Sequence, residues 1–458
     1  MNPSVFKAYD IRGIVDQDIT SDDAHAIGRA FATYLAHTSG KKCKDLRIVI
    51  GKDNRISSHH LYMKVTEGLL TQGVTILDID IGPTPLFYFA VADSKADGGI
   101  MITASHNPAK YNGFKLVGPL ASPIGLDSGL KDIQKLMESG NYASMEVRGT
   151  VLQEEVLEKY IQRNNVFLPL PDAPNMRVVV DAGNGVASII CKALFKNTTM
   201  QIIPLFFELD GSFPNHMPNP LDERNIIKLK EEMVAQEAHL GIALDADADR
   251  IVFVDEQGSI IPPDLITSLI ADVLLRIHPK SAHCYDVRSS KAVKETIERA
   301  GGTAIVSKVG HAFIKELMRQ KDILFAGELS GHYYFHIDDS FFEWPLIAMN
   351  IVLTEMIRTG KKASELASPY RTYVKTRELN YAIEKKEEVL NDVEKHFTDA
   401  PTLSHLDGLT VEYADWWFNL RTSNTENVVR LNLEAREPQL LEDKLTEVLA
   451  AMGNPEKV

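Results

Sequence analysis

Short apolar runs alternate with amphipathic stretches along most of this 458-residue chain, and that rhythm constrains the fold more than any other feature. LRIVIG (46–51), TILDID and GGIMITAS read as strands around a helical stretch at HLYMKVTEGLLTQG. The pattern restarts after the proline-rich FLPLPDAPNM (167–176) with MRVVVDAGNG, VASIICKALF and HLGIALD. It starts a third time after IIPPD (260–264), with a helix at LITSLIADVLLRI and strands near TAIVS and ILFAGE. Alternation of this kind predicts parallel or mixed sheets flanked by helices. Past SPYRTY (368–373) the texture changes to a charged helix, EKKEEVLNDVEKHF, then VEYADWWFNLR, VVRLNLEA and a last helix, LLEDKLTEVLAAMG. The expectation is three α/β domains, over 1–150, 151–256 and 257–367, and a C-terminal α+β domain over 368–458.

Each α/β stretch carries an apolar strand straight into a polar loop: IMITA into SHNP, GIAL into DADADR, ILFA into GELSGH. Ligands bind beyond the carboxyl ends of strands in open parallel sheets. The three loops are therefore expected to line one central cleft.

DADADR (245–250) is the most specific of them. Alternation along a strand would put Asp245, Asp247 and Asp249 on one side. Three carboxylates that close repel unless a cation lies among them, and oxygen donors select magnesium or calcium. An EF-hand is excluded, because its sixth position would be Arg250 and its flanks are strand-like. In SHNP, Asn107 and Pro108 suit a turn that stops the strand and exposes Ser105. That serine stands in no G-x-S-x-G elbow, so a hydrolase triad is not indicated. With Lys115 in YNGFK, it suggests a hydroxyl that carries a phosphoryl group beside cations.

Glu328, Ser330 and His332 in GELSGH combine acceptor, hydroxyl and imidazole, which suits a polyhydroxylated ligand. Arg421, Ser423, Asn424 and Thr425, in a run that ends at Arg430, crowd donors into a turn that suits phosphate. KAYDIRG adds Tyr9 and Arg12, GKDNR adds Lys52 and Arg55, and DAGNG (181–185) reads as a turn that needs small residues. The net charge of −14 argues against a nucleic-acid binder, and no apolar run reaches the length of a membrane span. Lys7, Asp10 and Arg12 fall where a signal peptide would be apolar, so a cytoplasmic chain is expected. Three scattered cysteines point to neither a disulfide framework nor a zinc site.

Taken in order, TASHNP, DADADR, GELSGH and RTSNT resemble the phosphoserine, magnesium, sugar and phosphate loops of the α-D-phosphohexomutase superfamily, bacterial phosphomannomutase/phosphoglucomutase branch. That resemblance implies interconversion of hexose 1-phosphate and hexose 6-phosphate, of mannose or glucose, through phospho-Ser105 and a hexose 1,6-bisphosphate. It implies Mg²⁺ on Ser105, Asp245, Asp247 and Asp249, and a hexose 1,6-bisphosphate activator. Lys115 and His332 would act as base and acid, with Arg250 and Arg12 beside the transferring phosphate; a neighbour such as Arg12 is expected to lower the Lys115 pKa. Tyr9, His106, Asn107, Arg288, His311, Glu328, Ser330, Arg421, Ser423, Asn424, Thr425 and Arg430 would bind substrate, as monomer or dimer. Leu329 favours this branch over phosphoglucosamine mutases, whose sugar loop carries glutamine there, while a phosphatase and a non-catalytic sugar-phosphate binder stand as more remote readings.

Overall fold

The computed structural model describes residues 2–143, 147–422 and 428–458. The chain forms two compact units, Met1–Ile261 with Ser330–Ser364, and Pro262–Leu329 with Glu365–Val458.

The first unit opens with a six-stranded sheet of β1 (Ile11–Ile14), β2 (Arg47–Lys52), β3 (Thr75–Ile81), β4 (Gly98–Ile102), β5 (Tyr111–Val117) and β6 (Thr150–Gln153). Its order is β1-β5-β4-β2-β3-β6. Strands β2, β3, β4 and β6 run parallel, while β5 and β1 add an antiparallel edge. β2 and β4 are buried along almost their whole length, as expected of strands covered on both faces. Helix α1 (Ser21–Ser39) starts at a capping box in which Thr20 and Asp23 satisfy each other's backbone amides. It packs with α2 (Ser58–Thr71) over one face, where Ile27, Phe31 and Val65 join Ile48, Ile100 and Phe114 in a dry core. α3 (Thr84–Asp93) covers the other face through Phe87, beside Gly99 of β4.

A second sheet in the same unit has the order β11-β10-β9-β7-β8, from β7 (Arg177–Asp181), β8 (Gln201–Leu205), β9 (Leu240–Leu244), β10 (Ile251–Val254) and β11 (Ile260–Ile261). β7, β8 and β9 are parallel, and β10 and β11 return antiparallel. The hairpin Tyr333–Ile337/Ser340–Glu343 and the helix Pro345–Thr359 complete this unit. Trp344 stacks on Tyr160, with ring centroids 4.7 Å apart, and on Phe342, while Phe89 meets Trp344 edge-on.

In the second unit, parallel strands Ala282–Asp286, Thr303–Ser307 and Phe325–Gly327 carry the helices Pro263–Ile277, Lys291–Arg299 and His311–Lys321. The C-terminal part is an antiparallel sheet in which Trp416–Thr422 pairs with Val428–Ala435. Helices Lys386–His396 and Pro438–Ala451 close it over Phe397, Phe418, Leu431 and Leu433. Among the described residues no helix is long and apolar enough to cross a membrane. The fold class read from the sequence, three α/β domains and a C-terminal α+β domain, is the one observed.

Candidate active site

β4 ends at Ile102, and the chain then turns sharply at Ser105, whose φ of +49° lies in the left-handed region. A non-glycine residue there is held by its surroundings. Thr103 Oγ1 accepts from the Ser105 amide at 2.9 Å, and Arg55 donates to the Ser105 carbonyl. Ser105 is only 2% exposed, contrary to the expectation of an open serine. The loop is folded against the 245–250 loop of the same unit, and Ser105 Oγ donates to Asp245 Oδ2 at 2.9 Å.

The three aspartates converge, but not by alternation along a strand. β9 stops at Leu244, and the loop winds into a turn with Ala248 at φ +55°. Asp245 Oδ1 accepts from the amides of Asp249 and Arg250, at 3.1 and 3.2 Å, and so closes that turn. DAGNG supports it from behind: a Cβ on Gly185 would meet the Ala246 carbonyl oxygen at 2.6 Å. Thr84, at the start of α3, donates to Asp247 Oδ2 at 2.6 Å.

Oxygen atoms of Asp245, Asp247 and Asp249 lie within 4.8 Å of one another, all buried. Burial, then the charges of Asp249 and Asp247, push the Asp245 carboxyl well above its ordinary range. Asp249 is held well below it: burial opposes ionisation, but Lys115, His332 and Arg250 outweigh that cost. Crowded carboxylates, with Asp247 Oδ1 and Asp249 Oδ1 both buried without a hydrogen bond, and hard donors only suit a divalent cation such as Mg²⁺.

Lys115, on β5, reaches Asp247 Oδ2 at 2.8 Å and Asp249 Oδ2 at 2.5 Å. Burial disfavours its ammonium, yet the two carboxylates prevail and its pKa is raised well above the ordinary value. The expected lowering by neighbouring cations is therefore corrected: contact with two anions at under 3 Å outweighs Arg12. His332 Nδ1 lies 2.8 Å from Ser330 Oγ, and its Nε2 lies 3.3 Å from Asp249 Oδ1 and accepts from Arg250 Nε at 3.3 Å. Arg12, in β1, donates to Asn107 Oδ1 at 2.9 Å and pairs with Asp10. His106 is kept neutral, its pKa pushed down to about 2 by burial and by Arg250 and Arg12. Tyr9 is half-buried two residues ahead of β1.

The second unit gathers the other predicted groups. Arg288 is paired with Asp286 at 2.9 Å and with Glu328 at 3.4 Å. Burial opposes its charge, but Asp286 and Glu328 raise its pKa overall. His311 begins the helix His311–Lys321, half-buried after Gly310. Arg421 and Arg430 face each other across adjacent strands, which is destabilising for like charges without an anion nearby. Glu378 is that anion: its Oε2 lies 3.0 Å from Arg421 Nη2, 3.2 Å from Asn432 Nδ2 and 4.0 Å from Arg288 Nη1. Ser423, Asn424, Thr425 and Glu426 lie outside the described residues.

Sequence reading missed Thr84, Asp10, Asp286 and Glu378. Thr84 and Glu378 act on partners distant in the chain, Asp247 and Arg421, while Asp10 and Asp286 each pair with an arginine two residues on, Arg12 and Arg288, and were passed over as single carboxylates. Only the TPLF start of α3, with proline at its first turn, marked Thr84 as a helix entrance.

Four family matches tile the chain in order. Phosphoglucomutase/phosphomannomutase alpha/beta/alpha domain I matches residues 3–143, domain II 158–258, domain III 262–373 and the C-terminal domain 378–451. A phosphomannomutase of Salmonella montevideo is 36% identical over 467 residues, covering 99% of this chain and 100% of its own. A phosphoglucomutase of Neisseria meningitidis serogroup A is 33% identical, covering 94% and 93%. The crystal structure of a phosphoglucomutase/phosphomannomutase family protein from Burkholderia thailandensis superposes with a TM-score of 0.89 at 31% identity, covering 99% of both chains. With all four domains present in order and full-length relatives above 30% identity, the chain belongs to the phosphoglucomutase/phosphomannomutase family of enzymes.

Proposed function

We propose that this enzyme interconverts hexose 1-phosphate and hexose 6-phosphate, of mannose, glucose or both, with Ser105 as the phosphoryl carrier. The observation that carries the reading is the Ser105 hydroxyl, 2.9 Å from Asp245, in a buried cluster with Lys115, Arg250 and His332. A hydroxyl among an acidic triad and three cationic or imidazole groups has little use in a binding module, and all of it in phosphoryl transfer.

In the forward direction, the free 6-hydroxyl of a hexose 1-phosphate attacks phospho-Ser105. The bond from phosphorus to Ser105 Oγ breaks as the bond to the sugar oxygen forms, and the product is the 1,6-bisphosphate. The hydroxyl proton leaves to a basic side chain at the site. The bisphosphate turns over and returns its 1-phosphoryl group to Ser105 Oγ: the bond from phosphorus to the sugar O1 breaks as the bond to Oγ forms, and O1 takes up the proton held at the site, leaving hexose 6-phosphate. Asp245, Asp247, Asp249 and an oxygen of phospho-Ser105 would hold Mg²⁺, which when bound supplies neutralisation of phosphoryl charge. Arg250 and Arg12 carry the fixed positive charge around Ser105. Lys115 and His332 are the proton-handling pair, His332 being oriented by Ser330 through Nδ1 so that Nε2 is the working nitrogen. In the second unit, Arg288, Glu328 and His311 are assigned to sugar binding. Arg421 and Arg430, with Ser423, Asn424 and Thr425, are assigned to a substrate phosphate, and Tyr9, His106 and Asn107 to contacts beside Ser105. Domain limits of 1–150, 151–256, 257–367 and 368–458 go with this assignment.

The deciding experiment is isomerisation of mannose 1-phosphate and glucose 1-phosphate, side by side, with magnesium and a trace of glucose 1,6-bisphosphate. Turnover of both supports a dual-specificity mutase. Turnover of neither, by a folded and phosphorylated protein, overturns the proposal and brings glucosamine phosphate forward. Net phosphate release faster than isomerisation would mean a phosphatase.

A further inference from the structure

Arg55 follows β2 and is 2% exposed, far too buried to meet a substrate. A guanidinium has five N–H donors in a rigid planar fork. Here all five are committed. Nε donates to Asp53 Oδ2 at 3.0 Å. Nη1 donates to the carbonyls of Pro108, at 2.9 Å, and Tyr111, at 3.2 Å. Nη2 donates to the carbonyls of Ser105 and, at 2.8 Å, Asn107. Four carbonyls, three from the Ser105 loop and one from Tyr111 at the start of β5, thus converge on one cation, in the segment where Ser105 takes its left-handed φ of +49°.

The fork is itself fixed. Asp53 Oδ1 accepts from the Arg55 amide at 3.0 Å and from Ser58 Oγ, and Ser58 Oγ accepts from Asn112 at 2.9 Å. On the other side, the Phe213 ring centroid lies 5.1 Å from the guanidinium carbon. Gly211 presses so closely that an added Cβ would meet Arg55 Cα at 2.6 Å. Phe213 and Gly211 belong to the same stretch of chain as the sheet that presents Asp245. The loop that carries the Ser105 hydroxyl is therefore tied, through Arg55, to the substructure that carries its acceptor.

We infer that Arg55 is a positioning residue, which sets the direction of the Ser105 hydroxyl for phosphoryl transfer without touching substrate. This rests on Ser105 being the phosphoryl carrier. A lysine in its place keeps the charge beside Asp53 but has only three donors on one atom and cannot span four carbonyls. A displacement of about 1 Å at a reacting oxygen costs on the order of 10²-fold in rate.

The test compares the parent with Arg55→Lys and Phe213→Leu, all shown folded by thermal melts. Readouts are kcat and KM for glucose 1-phosphate, incorporation of phosphate on Ser105 from glucose 1,6-bisphosphate by intact mass, and hydrogen exchange of the peptide over 103–112. Arg55→Lys is expected to lose about 10²-fold in kcat with little change in KM, to rephosphorylate slowly, and to exchange faster in that peptide. Phe213→Leu, which keeps the fork and loosens its support, is expected to show a smaller loss of the same kind. Should the lysine variant not fold, the kcat-against-KM split of Phe213→Leu decides. A folded Arg55→Lys with parental kcat and exchange, only a lower melting temperature, overturns the inference while leaving the functional reading intact. A parent that neither isomerises nor accepts phosphate on Ser105 overturns the functional reading, and this inference with it.

Discussion

The Ser105 hydroxyl donates to Asp245 Oδ2 at 2.9 Å across a sequence separation of 140 residues. That contact joins the proposed phosphoryl carrier to the acidic triad, and both ends of it can be tested.

Ser105→Ala removes the carrier oxygen but little packing volume. Isomerisation should fall by at least about 10³-fold, as when a nucleophile is deleted. Incubation with glucose 1,6-bisphosphate should add one phosphoryl mass to the parent and none to the variant. A variant that retains a tenth or more of parental turnover would remove Ser105 from the mechanism.

Asp245→Asn probes the other end. The Asp245 carboxyl is held well above its ordinary pKa by burial and by Asp249 and Asp247, so the metal-free fold disfavours its charge. An amide keeps the acceptor for the 249 and 250 amides and relieves repulsion. The metal-free melting temperature should therefore be no lower than the parent's. The rise that the parent shows on adding magnesium should be lost, because ligand binding stabilises only through affinity for the folded state. Thermal melts with and without magnesium after chelation check both halves.

Glu378 balances Arg421, Arg288 and Arg430 in the second unit. Burial would raise its pKa, but Arg288 and Arg421 hold it below the ordinary value. Glu378→Gln should tighten inorganic phosphate binding by roughly threefold to fivefold, equivalent to about 0.6–1 kcal/mol for one partly exposed ion pair. It should also lower the melting temperature in phosphate-free buffer, where Arg421 faces Arg430 with less compensation. Weaker phosphate binding by calorimetry would contradict this.

His216 lies 3.1 Å from Asp181 Oδ2, and its Nδ1 meets the Met217 carbonyl at 2.8 Å. Burial disfavours the imidazolium, but Asp181 and that carbonyl outweigh it, and the pKa is raised above 6.5. A raised folded pKa means that the pair's stabilisation is complete below the unfolded value and is lost as pH rises through the folded one. Urea melts at about pH 6 and about pH 8 should show the parent losing part of its stability at the higher pH, and His216→Gln losing less. Equal losses would show that the pair does not contribute.

Periodicity and short polar motifs carried the architecture in the sequence. Strands such as Arg47–Lys52, Gly98–Ile102 and Leu240–Leu244 are apolar because both faces are covered, and the helices between them repeat at 3.6 residues. These are local consequences of burial, so one sequence suffices to read them. The loops at strand ends were legible as motifs for the same reason. What each side chain does inside its loop was not. Alternation suggested that Asp245, Asp247 and Asp249 share a strand face, whereas a turn closed by Asp245 onto the 249 and 250 amides brings them together. Ser105 read as exposed, whereas packing against a loop 140 residues away buries it. Lys115 read as a lysine of lowered pKa, until two carboxylates within 3 Å reversed the sign. Arg55 and Glu378 could be understood only from the partners that folding supplies. Composition and spacing determine which elements form, because those depend on neighbours in the chain; charge state, burial and hydrogen bonding at the site depend on neighbours in space, and only the tertiary structure decides them.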